Sequence, residues 1–275
     1  MIISADSRQI YRGFDIGTAK PSVEERRRVP HEGIDVVAPS DRYSAALFAE
    51  HAHEWIRKAR DDGREPLIVG GTGFYLKALV EPLFESPELP PDRRSALERV
   101  FADIDTERLR RWCQVLDPAR AHLGRTQLIR SAETPFLTVR RLSDLHTERA
   151  RAPVVRARYL VVDPGVRLAG QIEDRFNAMM AAGWADEVEG LMSIVDASAP
   201  AWKASGYGAI RDLVSGTISR QSARERVVIE TRQYAKRQRT WFRHQLGSAR
   251  VTRVDPHDPA IDTQVNTWWE GKTLA

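Results

Sequence analysis

Two short apolar segments, each followed at once by polar or glycine-rich residues, constrain the fold of this chain most. Residues 1–5 and Leu67–Val69 read as short strands, the second of them buried. Between them, residues 44–61 repeat apolar side chains at helical spacing, and Ser44 is in position to cap that helix. This order of strand, helix and strand predicts an α/β fold.

The middle of the chain has a different texture. Pro87, Pro90 and Pro91 form a hinge-like stretch, and residues 92–146 are helical in pattern and rich in Arg, with no convincing strand. We therefore predict a mostly helical insertion in an α/β core. A strand at Tyr159–Val162 and helices over 168–192 and 209–244 return to the core. The predicted divisions are a core of residues 1–86 and 155–250, an insertion of residues 87–154, and a tail of residues 251–275.

Charge is concentrated in two blocks. Residues 92–158 hold 15 Arg against 9 acidic residues, and residues 201–250 hold 11 Lys and Arg against 3. Such runs are often solvated faces, but two of them also suit a surface that binds the phosphates of a nucleic acid. The sequence has no apolar run of 18 residues and no secretory signal, so we expect a cytoplasmic protein without a membrane span.

The residues that follow the two strands are candidates for a site. Asp6, Ser7 and Gln9 stand at the end of the first strand, where an open α/β sheet binds ligands. Taken alone, Asp6 and Ser7 are equally suited to capping a helix near Gln9. Thr72 lies in a glycine-rich turn, where its hydroxyl would face an anion, or where it caps the next helix while the glycines allow a tight turn.

The identities of these residues resemble one family. Asp6-Ser7, Gln9 and Tyr11, followed by the segment Asp-Ile-Gly-Thr-Ala-Lys-Pro at residues 15–21, resemble the tRNA dimethylallyltransferases. Further blocks of the same resemblance lie at residues 30–35, 43–45, 66–79 and 231–241. The resemblance implies a P-loop NTPase-like parallel sheet. It implies transfer of a dimethylallyl group from dimethylallyl diphosphate to N6 of adenosine 37, beside the anticodon of tRNAs that read codons beginning with U.

The resemblance also implies roles for individual residues. Asp6 matches the general base, Thr72 matches the Thr at the transferred group and the diphosphate, and Lys203 stands where some members place a diphosphate-contacting Arg. Residues expected to contact the tRNA anticodon stem-loop are Asp6, Ser7, Arg8, Gln9, Arg94, Thr126, Gln127, Leu128, Ile129, Arg130, Arg232 and Arg237. An amide such as that of Gln9 suits an adenine edge. We expect Trp241 to be a core residue, and Cys113 to be a helix residue without a nucleophilic role.

One family feature is missing from the sequence. Family members carry a G-x-x-x-x-G-K-[ST] phosphate loop before the segment that opens this chain, and its Ser or Thr holds Mg²⁺. The Gly271-Lys272-Thr273 tripeptide lacks the earlier glycine and a preceding strand. We therefore expect Mg²⁺ as cofactor without an identifiable protein ligand, and little transferase activity from the chain as printed.

Two other functions stay open on the sequence. A catalytically inactive tRNA-binding remnant would keep these motifs, and a small-molecule P-loop kinase would share the α/β core but lack the basic carboxy-terminal helix. We expect a monomer in each case.

Overall fold

The computed structural model describes residues 1–81, 91–148, 155, 157–246 and 251–271. The chain forms two compact units, one of Met1–Val80 with Val155–Ala275, and one of Glu81–Val154. Most of the predicted proline hinge, at residues 82–90, lies outside the described residues. The architecture is α/β, with small parallel sheets and many helices.

The first unit contains a three-stranded parallel sheet with the opening strand at its centre. Strand order is β2-β1-β3, with bounds β1 (Ile2–Ser4), β2 (His31–Glu32) and β3 (Leu67–Val69). Helix α1 (Val23–Arg28) precedes β2, and helix α2 (Ala45–Asp61) connects β2 to β3. The Ser44 hydroxyl caps α2 by accepting from the Leu47 N–H at 3.1 Å, as predicted. Strand β3 is less buried than predicted, since Val69 is 49% exposed.

A second parallel sheet pairs β4 (Tyr159–Val162) with β5 (Val251–Val254) along their full length. The prediction of a tail from residue 251 was therefore wrong. Strand β5 and the following helix α12 (Ile261–Trp269) belong to the first unit. The short strand Val-Thr-Arg-Val is difficult to recognise in sequence because Arg interrupts its apolar run.

The two long helices predicted after β4 are each divided by a glycine. Residues 168–192 form α8 (Leu168–Ala181) and α9 (Trp184–Ile194), because Gly183 has a φ of 92°. Residues 209–244 fall in α10 (Tyr207–Val214) and α11 (Arg220–Gln245), with Gly216 at a φ of 70° between them. A positive φ favours glycine and ends a helix.

The main core lies under the segment that follows β1. Phe14 is fully buried and contacts the rings of Trp202 and Tyr207, with centroids 5.0 and 4.9 Å away. Trp184 is also buried, and it packs edge-on against Tyr207. The segment that resembles the family is thus held by the helices α9 and α10, which come some 170 residues later in the chain.

The second unit is helical. Its helices are α4 (Pro91–Ala102), α5 (Thr106–Leu116), α6 (Arg125–Thr138) and α7 (Leu142–Glu148). Phe101, Leu109, Cys113 and Leu128 form its buried core. Burial raises the pKa of the Cys113 thiol, which donates to the Leu128 carbonyl, so Cys113 is structural as predicted. In neither unit do the described residues include a helix with the length and apolar character to span a membrane.

Candidate active site

The ends of strands β1 and β3 bring Asp6, Ser7 and Thr72 together. The Thr72 hydroxyl accepts from the Ser7 N–H at 3.0 Å and lies 3.3 Å from the Ser7 hydroxyl. The Thr72 N–H donates to the Ala5 carbonyl at 3.2 Å. Asp6 therefore lies between two residues that are fixed to Thr72. Parallel strands end at the same sheet edge, which is why residues 65 positions apart meet here.

Asp6 caps a turn and not a helix. Its Oδ1 accepts from the Arg8 N–H at 2.8 Å, and residues 7–10 form a turn. The interpretation of Asp6 and Ser7 as caps of a helix near Gln9 is contradicted, because none of the described helices begins there. Oδ1 is thereby held in place, and within the described parts of the chain Oδ2 accepts no hydrogen bond.

The glycines beside Thr72 are required by close packing. Gly70, Gly71 and Gly73 all have ordinary negative φ values, so the turn needs no left-handed residue. A Cβ on Gly70 would overlap the Ala5 backbone, and one on Gly73 would overlap the Trp241 indole. The Thr72 side chain bonds to Ser7 and not to the start of helix α3 (Gly73–Val80), so the tight-turn and capping alternative is not supported.

Helix α11 packs one face onto this glycine-rich turn. Gln238 Nε2 donates to the Gly71 carbonyl at 3.0 Å, and Trp241 covers Gly73. Tyr234 lies one turn earlier on the same face. Burial raises the pKa of its phenol, as does the charge of Asp6, while hydrogen bonds with Thr72 and Gln238 act in the opposite direction. Neither Tyr234 nor Gln238 was predicted from the sequence as a site residue.

Arg8 lies among buried phenols next to Asp6. Burial raises the pKa of Tyr11, Tyr75 and Tyr234, and in each case the positive charge of Arg8 opposes the shift. The phenols therefore stay neutral beside Asp6 and Arg8. A cation near uncharged phenols suits contact with a phosphate or a nucleobase.

Gln9 holds the following loop in place. Its Oε1 accepts from the Ser4 hydroxyl at 2.8 Å, and its Nε2 donates to the carbonyls of Thr18 and Ala19 at 3.2 and 3.0 Å. Both amide protons are used, so a single Oε1 lone pair is left for a nucleobase. The amide was expected to read an adenine edge, and the structure restricts that reading to accepting one proton.

The diphosphate and RNA candidates outside the sheet edge differ in their surroundings. Lys203 is exposed at the end of a 3₁₀ turn, Pro200–Lys203. Arg232 pairs with Glu173 at 2.9 Å. Arg237 lies over the Tyr234 ring, 5.8 Å from its centroid, on the helix that packs against the glycine-rich turn. Trp241 is half-buried against Gly73, which agrees with a packing residue.

The candidates in the second unit do not all face solvent. Leu128 is 0% exposed in the core of that unit, so its prediction as a tRNA contact was wrong. Ile129 packs partly against the same core. Thr126, Gln127 and Arg130 are exposed on helix α6. Arg94 lies in helix α4, and its side chain is outside what the structure describes.

No metal site is assembled by the described residues. No group of three His, Cys, Asp or Glu side chains in them lies close enough to hold an ion. The described residues therefore offer no such ligand group for the expected Mg²⁺, and no chemical step is assigned to it. The Gly271-Lys272-Thr273 tripeptide follows helix α12 and not a strand, and Lys272 and Thr273 lie outside the described residues.

Residues 9–245 match the model of the IPP transferase family, which is most of the chain. The chain belongs to the IPP transferase family. Among related proteins, the tRNA dimethylallyltransferase of Halorhodospira halophila is 40% identical, over 98% of this chain and 89% of the relative. The tRNA dimethylallyltransferase of Rhodospirillum centenum is 38% identical, over 94% of this chain and 84% of the relative.

Solved structures agree with the family fold. The tRNA isopentenylpyrophosphate transferase of Bacillus halodurans is similar with a TM-score of 0.66 and 30% identity, over 98% of this chain and 87% of that chain. A eukaryotic dimethylallyltransferase solved while acting on tRNA gives a TM-score of 0.80 at 22% identity, over 99% and 74% of the two chains. At that identity the likeness concerns the fold alone.

Proposed function

We propose that this member of the IPP transferase family is a tRNA dimethylallyltransferase. The observation that carries the proposal is the junction of Asp6, Ser7 and Thr72 at one sheet edge, in a chain about 40% identical to enzymes of that name. The substrate RNA is the anticodon stem-loop, and the donor is dimethylallyl diphosphate. The acceptor is N6 of the adenosine beside the anticodon.

Asp6 serves as the general base in this proposal. The adenine amine attacks C1 of the dimethylallyl group, the bond from C1 to the diphosphate oxygen breaks, and the N6 proton passes to the Asp6 carboxylate. Oδ1 is held by the Arg8 N–H, which leaves Oδ2 to take the proton. A carboxylate so positioned can contribute about 10²–10⁴-fold to the rate.

Thr72 and the start of helix α3 would receive the diphosphate. The Thr72 hydroxyl lies at the amino end of this helix, where the helix dipole favours an anion. Lys203 is the second candidate for the diphosphate and supplies a point charge in place of the bidentate fork of an Arg. Mg²⁺ would enter with the donor, since Mg²⁺ commonly binds through substrate phosphates and few protein groups.

The RNA would be held mainly through its phosphates. Arg8 adjoins Asp6 and Ser7 at the sheet edge, Ser7 bonds to Thr72, and Arg237 stands beside Tyr234 on helix α11. Thr126, Gln127 and Arg130 on the exposed side of helix α6 would contact the RNA from the second unit. We also propose that the protein acts as a cytoplasmic monomer, in the compartment where tRNA is abundant.

A transfer assay tests the function. The purified protein is incubated with isotopically labelled dimethylallyl diphosphate and an anticodon stem-loop with adenosine 3′ to the anticodon. The sequence alone predicts little transfer, because no phosphate loop is found in it, whereas the site at the sheet edge leads us to expect label in the RNA. We expect a mass increase on that adenosine, and neither label nor mass increase when the adenosine is replaced by guanosine. RNA binding without transfer would contradict the proposal and favour the inactive RNA-binding alternative.

A further inference from the structure

We infer that Tyr234 and Gln238 of helix α11 are positioning residues that fix Thr72 for the transfer reaction. The inference rests on the proposed function, since it assigns to these residues the placement of a group that meets the donor. Helix α11 follows the turn by some 160 residues. Its basic residues predict contacts with RNA and do not indicate a contact with the turn.

The hydrogen bonds of the glycine-rich turn restrain Thr72 and the peptide before it from two sides. Thr72 is tied to β1 through the Ser7 N–H and the Ala5 carbonyl, which fixes one side of the turn. On the other side, the Gly71 carbonyl accepts from Gln238 Nε2 at 3.0 Å. Gln238 thus restrains the peptide that directly precedes Thr72.

Tyr234 completes the contact from the same helix face. Tyr234 is half-buried, and its phenol lies close enough to Thr72 and Gln238 for both side chains to act on its pKa. Residues 234, 238 and 241 are spaced by four and three positions, which places them in a row along one side of the helix. Gln238 contacts Gly71 and Trp241 contacts Gly73, so this row lies against the glycine-rich turn.

The glycines of the turn allow helix α11 to approach it closely. A Cβ on Gly71 would overlap the Gln238 amide, and one on Gly73 would overlap the Trp241 indole. Because neither glycine has a positive φ, backbone conformation does not explain them. Their small size lets helix α11 come close enough for Tyr234 and Gln238 to reach the turn.

The Thr72 hydroxyl has two neighbours that can orient its proton. It lies 3.3 Å from the Ser7 hydroxyl, and the Tyr234 phenol is near enough for Thr72 to act on its pKa. A hydroxyl has one proton to donate, so these partners set the direction in which Thr72 can donate to a diphosphate oxygen. Misplacing a group that meets the reacting atoms by about 1 Å can cost roughly 10²-fold in rate.

The test compares paired variants in single-turnover transfer. Tyr234→Phe removes only the phenol oxygen, and Tyr43→Phe is its control, because the half-buried Tyr43 bonds to His51 at 2.9 Å. Gln238→Glu replaces the donor to Gly71, and Gln233→Glu places the same charge at an exposed position of helix α11. We expect Tyr234→Phe and Gln238→Glu to lower the transfer rate about tenfold or more at saturating RNA and donor, with the melting temperature and the RNA Kd held near wild type.

The expected controls transfer at the wild-type rate. Unchanged rates in Tyr234→Phe and Gln238→Glu would overturn the inference and leave the proposed function intact. If the wild-type protein transfers nothing, the proposed function fails, and amide hydrogen exchange decides the positioning. Faster exchange at residues 70–73 in Gln238→Glu, and not in Gln233→Glu, supports the contact, whereas equal exchange in both overturns it.

Discussion

At the scale of single residues, the Thr72 hydroxyl contributes both to the stability of the fold and to the proposed transfer reaction. It accepts from the Ser7 N–H, which is half-buried. Thr72→Val keeps the shape but leaves that N–H without a protein acceptor, so we expect a loss of about 1–3 kcal/mol in the free energy of unfolding and a transfer rate lowered at least tenfold. Thr72→Ser keeps the hydroxyl and should retain most of both. Urea unfolding and single-turnover transfer measure the two effects, and full activity in Thr72→Val would contradict the role.

The ion pairs of Asp35 should make the stability of the fold fall at acid pH. Lys20, whose side chain is 2% exposed, contacts Asp15 at 2.5 Å and Asp35 at 2.6 Å, and Arg26 contacts Asp35 at 2.9 Å. Burial acts to raise the pKa of Asp35, but hydrogen bonds from Lys20 and Arg26 outweigh it, and the pKa lies below the ordinary 3.8. The contacts therefore stabilise the fold fully above that ordinary value, and the stabilisation is lost as pH falls through the lower pKa of the folded state.

Asp35→Asn isolates this contribution, since Asn tolerates the φ of 56° at this position. We expect the variant to be less stable than wild type near neutral pH and the two unfolding curves to converge below pH about 4. Asp62→Asn, in the exposed pair with Arg64, should leave the pH dependence unchanged. If the free energies of unfolding of wild type and Asp35→Asn differ by the same amount across this pH range, the role of the Asp35 ion pairs is refuted.

At the scale of elements, the contact between helix α11 and the glycine-rich turn predicts opposite outcomes for glycine substitutions. Gly73→Ala should destabilise the fold by about 1–3 kcal/mol, because the new Cβ would overlap the Trp241 indole. Gly170→Ala in helix α8 meets nothing within 4 Å and should stabilise it by up to about 1 kcal/mol. Thermal and urea unfolding give both values, and a stable Gly73→Ala variant would disprove the close packing.

The sequence predicted local elements better than the contacts between them. The strand ends that carry Asp6 and Thr72 follow from apolar runs broken by polar residues, and the meeting of the two follows from parallel pairing. The division of the helix predicted over residues 168–192 was missed, although Gly183 within the helical pattern could have indicated it. The contact of Gln238 with Gly71 was not predictable, because the pattern of a long polar helix does not indicate which face packs on a turn 167 residues away.

At the scale of the whole molecule, the basic residues predict strong dependence of RNA affinity on salt. Each phosphate contact releases counterions, so raising salt from about 50 to 200 mM should weaken stem-loop binding more than about tenfold. Arg237→Ala should remove one phosphate contact, which lowers the magnitude of the slope of log K against log salt by about one. Arg232→Ala should change the slope less, because Arg232 pairs with Glu173. Equal slopes for wild type and Arg237→Ala, measured by fluorescence anisotropy, would remove Arg237 from the RNA surface.

The most direct test of the whole account is the single-turnover transfer rate of Asp6→Asn. Asn keeps an oxygen to accept from the Arg8 N–H, so the turn that holds residue 6 is preserved while the base is lost. We expect a transfer rate about 10²–10⁴-fold below wild type, with the Kd for the stem-loop changed less than about twofold. A wild-type rate in Asp6→Asn would contradict the assignment of Asp6 as the base for dimethylallyl transfer.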